Sequence, residues 1–317
     1  MNRALAFAAL LAGCVTPEQV GSLPEPDSPD AGRSADASFA LACTEPLPCY
    51  APLEDRVSLC GQLHDVETGA PLRADGARGG LCDPLNPTLD GPCSVCANVF
   101  ETAALVAGPG GAPALDSASV EIDDCGRYRV IGAKLPDDGA LAIMTGNCAL
   151  PTSWRPTVVS LQPTPGSRTA DLPIYATSRA TDERWTSSAA QPFEFGETFI
   201  DVGAYLVTYL YGAEPIEDVT LTVSGRPTPL RTFYFDDEPA LSVVNGARVA
   251  TSVNGSALAV GTDYSLHGGV GGEPDGCVWP SELAASIPGV LFVQRKLARR
   301  TSSGEQCAPG VNLGTLR

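Results

Sequence analysis

Apolar and polar residues alternate over short stretches of this chain, and long helical periodicities are scarce. Val57-Ser58-Leu59-Cys60-Gly61-Gln62-Leu63 has the two-residue period of a half-buried strand. Asp65-Val66-Glu67-Thr68-Gly69 supplies the turn that follows it. The alternation returns over 119–123 and, after the turn Asp124-Cys125-Gly126, over 127–131; segments 139–145 and 157–161 read as further strands. The Gly-, Pro- and Asp-rich segment 75–92 reads as a long loop. Thr181 ahead of Asp182 and Glu183 is a helix-start signature, predicting a short helix over 181–190 with Trp185 as its buried contact. Strands resume after Glu197, in the apolar run 199–211, in 213–223 and in 290–294. The predicted class is all-β, with two tandem β-sandwiches joined by a short connecting helix.

The first residues follow a different pattern. Met1, Asn2 and Arg3 form a short positive start, an apolar run covers 4–12, and Gly13-Cys14 follows. That run is far short of the roughly 20 apolar residues that span a bilayer as a helix, and has the size of a signal-peptide core. Residues 1–13 therefore read as a signal peptide. From 14 to 42 the chain is rich in Pro, Ser, Asp and Ala, with five acids, a single arginine (Arg33) and almost no large apolar residue. It cannot bury enough surface to offset its ordering entropy, so a disordered tether is expected. As a flexible coil it would reach roughly 30 Å. The regions that follow are a cysteine-rich sandwich over 43–165, a connector over 166–196 and a second, divergent sandwich over 197–317.

Leu11-Ala12-Gly13-Cys14 resembles the lipobox of bacterial lipoproteins. The resemblance implies cleavage before Cys14, a diacylglycerol on its sulfur and an acyl chain on the new amino terminus. Two or more chains anchor stably where one does not. Val15, rather than Asp, follows the cysteine, which favours the outer membrane, with the leaflet left open. An ordinary cleaved signal with an incidental Cys14 is the alternative. Cysteine arithmetic bears on the choice. The chain has eleven cysteines, and subtracting Cys14 leaves ten, an even number suited to pairing in an oxidising compartment. Cys43, Cys49, Cys60, Cys82, Cys93, Cys96, Cys125 and Cys148 cluster early; Cys277 and Cys307 lie near the end. Four bridges are expected in the first region, in unspecified pairs, and Cys277–Cys307 in the second.

Gly61-Gln62-Leu63-His64-Asp65-Val66-Glu67-Thr68-Gly69-Ala70-Pro71-Leu72, with Val120-x-Ile122-Asp123-Asp124-x-Gly126-x-Tyr128-x-Val130, resembles the carboxypeptidase regulatory-like domain. That family is a transthyretin-like, Ig-like β-sandwich of about seven strands, and the resemblance implies a non-catalytic appendage of secreted and surface proteins. This chain departs from the pattern by a long cysteine-rich insertion between the two motifs. Ala213–Val223 (213–223) and the turn Thr251-Ser252-Val253-Asn254-Gly255 echo the same pattern and point to a second copy.

Composition narrows the function. The net charge of −17 argues against nucleic acid, whose backbone requires a basic surface. There are 33 glycines and 28 prolines, a supply that suits many turns. No G-x-S-x-G elbow, P-loop or H-E-x-x-H motif is present. The chain has two histidines, in different regions, which leaves little material for a Ser-His-Asp triad. His64 reads as a polar strand-end residue rather than a base or ligand. His267 stands in a glycine-rich loop with Asp263, Glu273 and Asp275, and these four are the weak ligand or hydrolase candidates. Cys93-Ser94-Val95-Cys96, with Cys82 before it, has zinc-like spacing but reads as disulfide in an oxidising setting. The acidic pairs Asp123-Asp124 and Asp137-Asp138, and Asp236-Asp237-Glu238, read as solvated turns rather than calcium loops. Arg295-Lys296 with Arg299-Arg300 is the one basic cluster and reads as a solvated strand end. No catalytic residue, metal or cofactor is assigned. The expected function is a non-enzymatic envelope lipoprotein whose sandwiches bind a glycan or protein partner, the alternative being a carboxylate and histidine hydrolase or metal site around His267.

Overall fold

The computed structural model describes residues 43–44, 47–52, 56–88, 90–107, 114–115, 118–137, 139–148, 153–189, 197–223, 231–261, 263–266, 268–269, 277–278 and 284–300. The signal peptide, Cys14, the tether, His267, Glu273, Asp275 and Cys307 lie outside the described residues. Asp263 and Cys277 are described as strand positions only.

The chain is all-β and sandwich-like, as the alternation predicts. Its elements in order are β1 (Arg56–Asp65), β2 (Val95–Glu101), α1 (Thr102–Ala107), β3 (Ser119–Ile122), β4 (Arg127–Lys134), β5 (Leu141–Asn147), β6 (Trp154–Arg155), β7 (Thr157–Leu161) and β8 (Arg168–Ser178). Then come α2 (Arg179–Ser188), α3 (Phe199–Val202), β9 (Ala204–Tyr211), β10 (Glu214–Pro215), β11 (Thr222–Val223), β12 (Arg231–Phe235), β13 (Val244–Asn245) and β14 (Ser256–Val260). The last are β15 (Asp263–Leu266), β16 (Gly268–Gly269), β17 (Cys277–Val278), β18 (Ala284–Ser286), β19 (Leu291–Leu297) and β20 (Arg299–Arg300).

Two large sheets carry the structure. One has five strands in the order β3-β4-β1-β8-β6; the other runs β13-β12-β14-β9-β19-β7-β5-β2, with β10 on β9. The strand β1 is central in the first, antiparallel to β4 and parallel to β8. Its inward residues Val57, Leu59 and Leu63 meet Val95 and Val99 of β2 and Leu141 and Ile143 of β5 in one core. The first sheet thus packs on the β7-β5-β2 end of the second.

The other end of the long sheet is buried on both faces. Ala204, Leu206, Leu258, Val260, Leu291 and Val293 point to one side, against Trp185 of α2 and Phe199 and Ile200 of α3. Tyr205, Val207, Tyr209, Ala257, Ala259 and Phe292 point to the other, with Ala285, Ile287, Val219 and Leu221. Period-two geometry assigns the faces, and covering both explains why β14 reads as a continuous apolar run.

Strands from either side of the 166–196 connector share this sheet. In it β19 lies parallel to both β9 and β7, so one strand joins the late strands to the early ones. Within the connector the expected helix is present as α2, with Trp185 fully buried. Its cap is Ser178 rather than Thr181: the Ser178 side chain accepts from the Thr181 N–H at 3.0 Å. The same stretch also holds β8, eleven residues long and hydrogen-bonded to β1.

Buried polar groups fix how α2 and α3 sit. Asp182 is fully buried, 2.8 Å from Arg155 Nε of β6, and accepts from the Thr198 hydroxyl at 2.6 Å and the Ile200 N–H at 3.2 Å. Burial pushes its carboxyl above the usual carboxylate range against these contacts. Thr198 and Asp201 close a capping box at the start of α3.

Candidate functional site

All eight early cysteines are paired, as Cys43–Cys125, Cys49–Cys60, Cys82–Cys93 and Cys96–Cys148. Cys93 and Cys96 stand on opposite sides of the start of β2 and take different partners, so the C-x-x-C spacing is a pair of disulfide ends. The Cys82–Cys93 bridge pins the 75–92 loop, which Asp124 also holds by accepting from the Arg78 and Gly79 N–H groups at 2.9 and 2.6 Å. The Cys277–Cys307 pairing lies outside the described residues.

The acidic turns divide. Asp123 is not solvated: it is fully buried and accepts from Arg127 N at 2.8 Å and Arg127 Nε at 2.7 Å. Asp123, Asp124 and Cys125 lie close enough together to suggest a cation site. Their atoms are already engaged by Arg127, the 78–79 backbone and Cys43. Asp236 and Asp237 hold Asn245 at 2.7 Å and Arg248 at 2.9 Å, the bonds of a turn. The hairpin Asp65–Gly69 is likewise architectural. Asp65 Oδ1 accepts from the Thr68 N–H and hydroxyl at 2.8 and 2.9 Å, and Gly69 takes the left-handed conformation with φ 66°.

Of the four residues proposed around His267, Asp263 alone has a described position, in β15 paired with β18, and the other three lie outside the described residues. The basic cluster does not form one surface. Arg295 is exposed while Lys296 is 1% exposed, since adjacent residues of β19 face opposite sides of the sheet.

Residues from several separate sequence motifs converge elsewhere. A cavity of about 450 Å³ lies where the first sheet meets the far end of the second. His64 and Tyr175, register partners on β1 and β8, form one wall. Arg295, Thr208 and Ser256, partners across β19, β9 and β14, form the other. Val66, Leu206, Leu241, Val253, Pro215 and Val293 supply apolar lining. Arg295 lies close enough to Tyr175 to act electrostatically on its hydroxyl, and the Thr208 and Ser256 hydroxyls lie 2.8 Å apart. The His64 Nδ1 lies 2.9 Å from the Gly69 carbonyl, the bond that sets its ring in the turn.

The electrostatics follow from burial. Desolvation lowers the His64 pKa below its ordinary 6.5, with nearby Arg295 adding to it, so the imidazole is neutral at pH 7. Desolvation raises that of Tyr175, which keeps its proton. Glu67 at the rim accepts from the Thr181 hydroxyl at 2.9 Å and pairs with Arg184. Among the described residues no carboxylate pairs with Arg295. The arrangement offers a fixed positive charge and hydroxyls beside an apolar lining. Sequence reasoning reached His64 as a strand-end residue and Arg295 as part of a cluster. The pairing of β1 with β8 and of β19 with β9, which unites them, has no local signature.

No protein-family model and no curated protein matches the chain. Among solved structures, the Bacillus anthracis TIE protein aligns at 11% identity with a TM-score of 0.20, covering 76% of this chain. The alignment spans 34% of that protein's chain. A likeness at this level carries no argument about this chain.

Proposed function

We propose that this chain is a non-enzymatic, lipid-anchored protein of the bacterial cell envelope whose β-sandwich modules bind a partner. The single observation that carries the reading is the complete pairing of Cys43, Cys49, Cys60, Cys82, Cys93, Cys96, Cys125 and Cys148. Four bridges in one region belong to oxidising compartments. A protein exported there with Leu11-Ala12-Gly13-Cys14 behind an apolar run has the substrate features of lipid attachment at Cys14.

The resemblance to the carboxypeptidase regulatory-like domain supports the non-catalytic half. Several residues of its pattern have a structural task here. Asp65, Thr68 and Gly69 close a turn, the Leu72 N–H donates to the Leu63 carbonyl at 2.9 Å, and the Tyr128 hydroxyl donates to the Leu172 carbonyl at 2.9 Å.

Fractionation of a Gram-negative host expressing the full chain tests this. The protein is expected in the outer-membrane fraction, and Cys14→Ser is expected to move it to the soluble fraction of the envelope. A wild-type chain in the cytoplasm, or one whose distribution is the same with and without Cys14, would overturn the reading.

A further inference from the structure

The far end of the long sheet changes character along a single row. Val293, Leu206 and Leu258 are register partners across β19, β9 and β14, all in the core beneath α2. Two residues further along, on the same face, the row becomes Arg295, Thr208 and Ser256. At that point the face leaves the core and lines the 450 Å³ cavity. That volume lies in the range of small-molecule sites, which are mainly apolar with a few fixed polar groups.

We infer that this cleft binds a small monocarboxylate with an apolar body, its carboxylate on Arg295 and its body against Leu206, Leu241, Val253 and Val293. Charge and shape select that chemistry. The chain carries a net charge of −17, yet the cleft holds a guanidinium with no carboxylate partner among the described residues. The other ionisable groups on its walls do not cancel it: His64 and Tyr175 are neutral, and Glu67 is matched by Arg184 and Thr181. A planar guanidinium fits a carboxylate through two parallel hydrogen bonds. Tyr175 beside it on the opposite wall presents a hydroxyl, and the guanidinium has five N–H donors to share between that wall and a ligand. A dianionic phosphate would call for a second cation. A neutral sugar would call for broad aromatic platforms, whereas the rings on this lining are Tyr175 and His64, and its apolar part is Leu, Val, Pro and Ala.

This inference names the ligand class of the binding module proposed above and so rests on that half of the reading. Calorimetric titration of the exported full chain carrying Cys14→Ser tests it, because binding is then measured independently of anchoring. The probes are octanoate against octanamide, and an N-acetylated tripeptide of leucine and valine with a free carboxylate against its amide. At least one carboxylate is expected to bind about tenfold or more tightly than its amide, the scale of one charge-assisted hydrogen-bond pair. Whether octanoate or the peptide is preferred identifies a fatty acid or a chain terminus as the source. Arg295→Met is expected to erase the preference, and Tyr175→Phe to weaken it several-fold with the far-UV circular dichroism spectrum unchanged. Failure of both carboxylates to bind, equal binding of the amides, or a preference that survives Arg295→Met would overturn the inference.

Discussion

Gly126 turns the chain from β3 into β4 with φ 73°, and a Cβ there would run into the carbonyl of Leu72. Backbone strain and a blocked approach add, so Gly126→Ala is expected to cost at least ~2 kcal/mol in chemical denaturation. His64 sets a pH dependence. Its folded-state pKa is depressed by burial, so the unfolded chain binds a proton that the native one refuses. Stability therefore falls as pH drops through about 6.5 towards the lower folded value, and is fully regained above it. Denaturation midpoints at pH 5 and pH 8 should differ by less in His64→Gln than in the parent chain; an unchanged difference would remove His64 as the cause. The turn residues around these two positions, Asp65, Thr68, Gly69 and Gly126, were legible in the sequence because their roles are local. Asp123 was not: its burial depends on Arg127 folding back over it, which spacing alone does not reveal.

At the scale of elements, α2 and α3 are held to β6 by Asp182. Asp182→Ala would strip the Thr198 hydroxyl and Ile200 N–H of their acceptor and leave Arg155 with Asp201 as its carboxylate, a loss expected to cost about 2 kcal/mol. Thermal unfolding should show it as a lowered midpoint, with Asp182→Asn less affected because burial already favours the uncharged form. The disulfides should rank by the chain they close. Cys43–Cys125 spans 82 residues and Cys82–Cys93 spans 11, so removing the first by paired serine substitution should cost about 4 kcal/mol against about 3 for the second. Strands with clean alternation, β1, β3 and β4, were readable from pattern. β8 was not, since its first half is mostly exposed and Pro173 interrupts it. The proline is tolerated because β6 covers only Thr177 and Ser178, leaving Pro173 where β8 has a neighbour on one side.

At the scale of the molecule, β19 ties strands from both sides of the connector into one sheet. Main-chain hydrogen bonds across that seam couple the two regions. Unfolding followed by tryptophan fluorescence and by far-UV circular dichroism should therefore give coincident single transitions; two separated ones would show that the regions unfold independently. The all-β class was legible because alternation and turn residues are local. The cleft was not, because its walls come from segments near residues 64, 175, 206, 241, 254 and 295 that only the sheet order brings together. The proposed lipid on Cys14 and the pairing of the remaining thiols are tested at once by intact-mass analysis of the chain isolated from an expressing host under non-reducing, thiol-blocking conditions. The account predicts a species beginning at Cys14, heavier by a diacylglyceryl and an acyl group, with no blocked thiols. A mass that retains the leader, lacks the lipid, or carries blocked cysteines would contradict it.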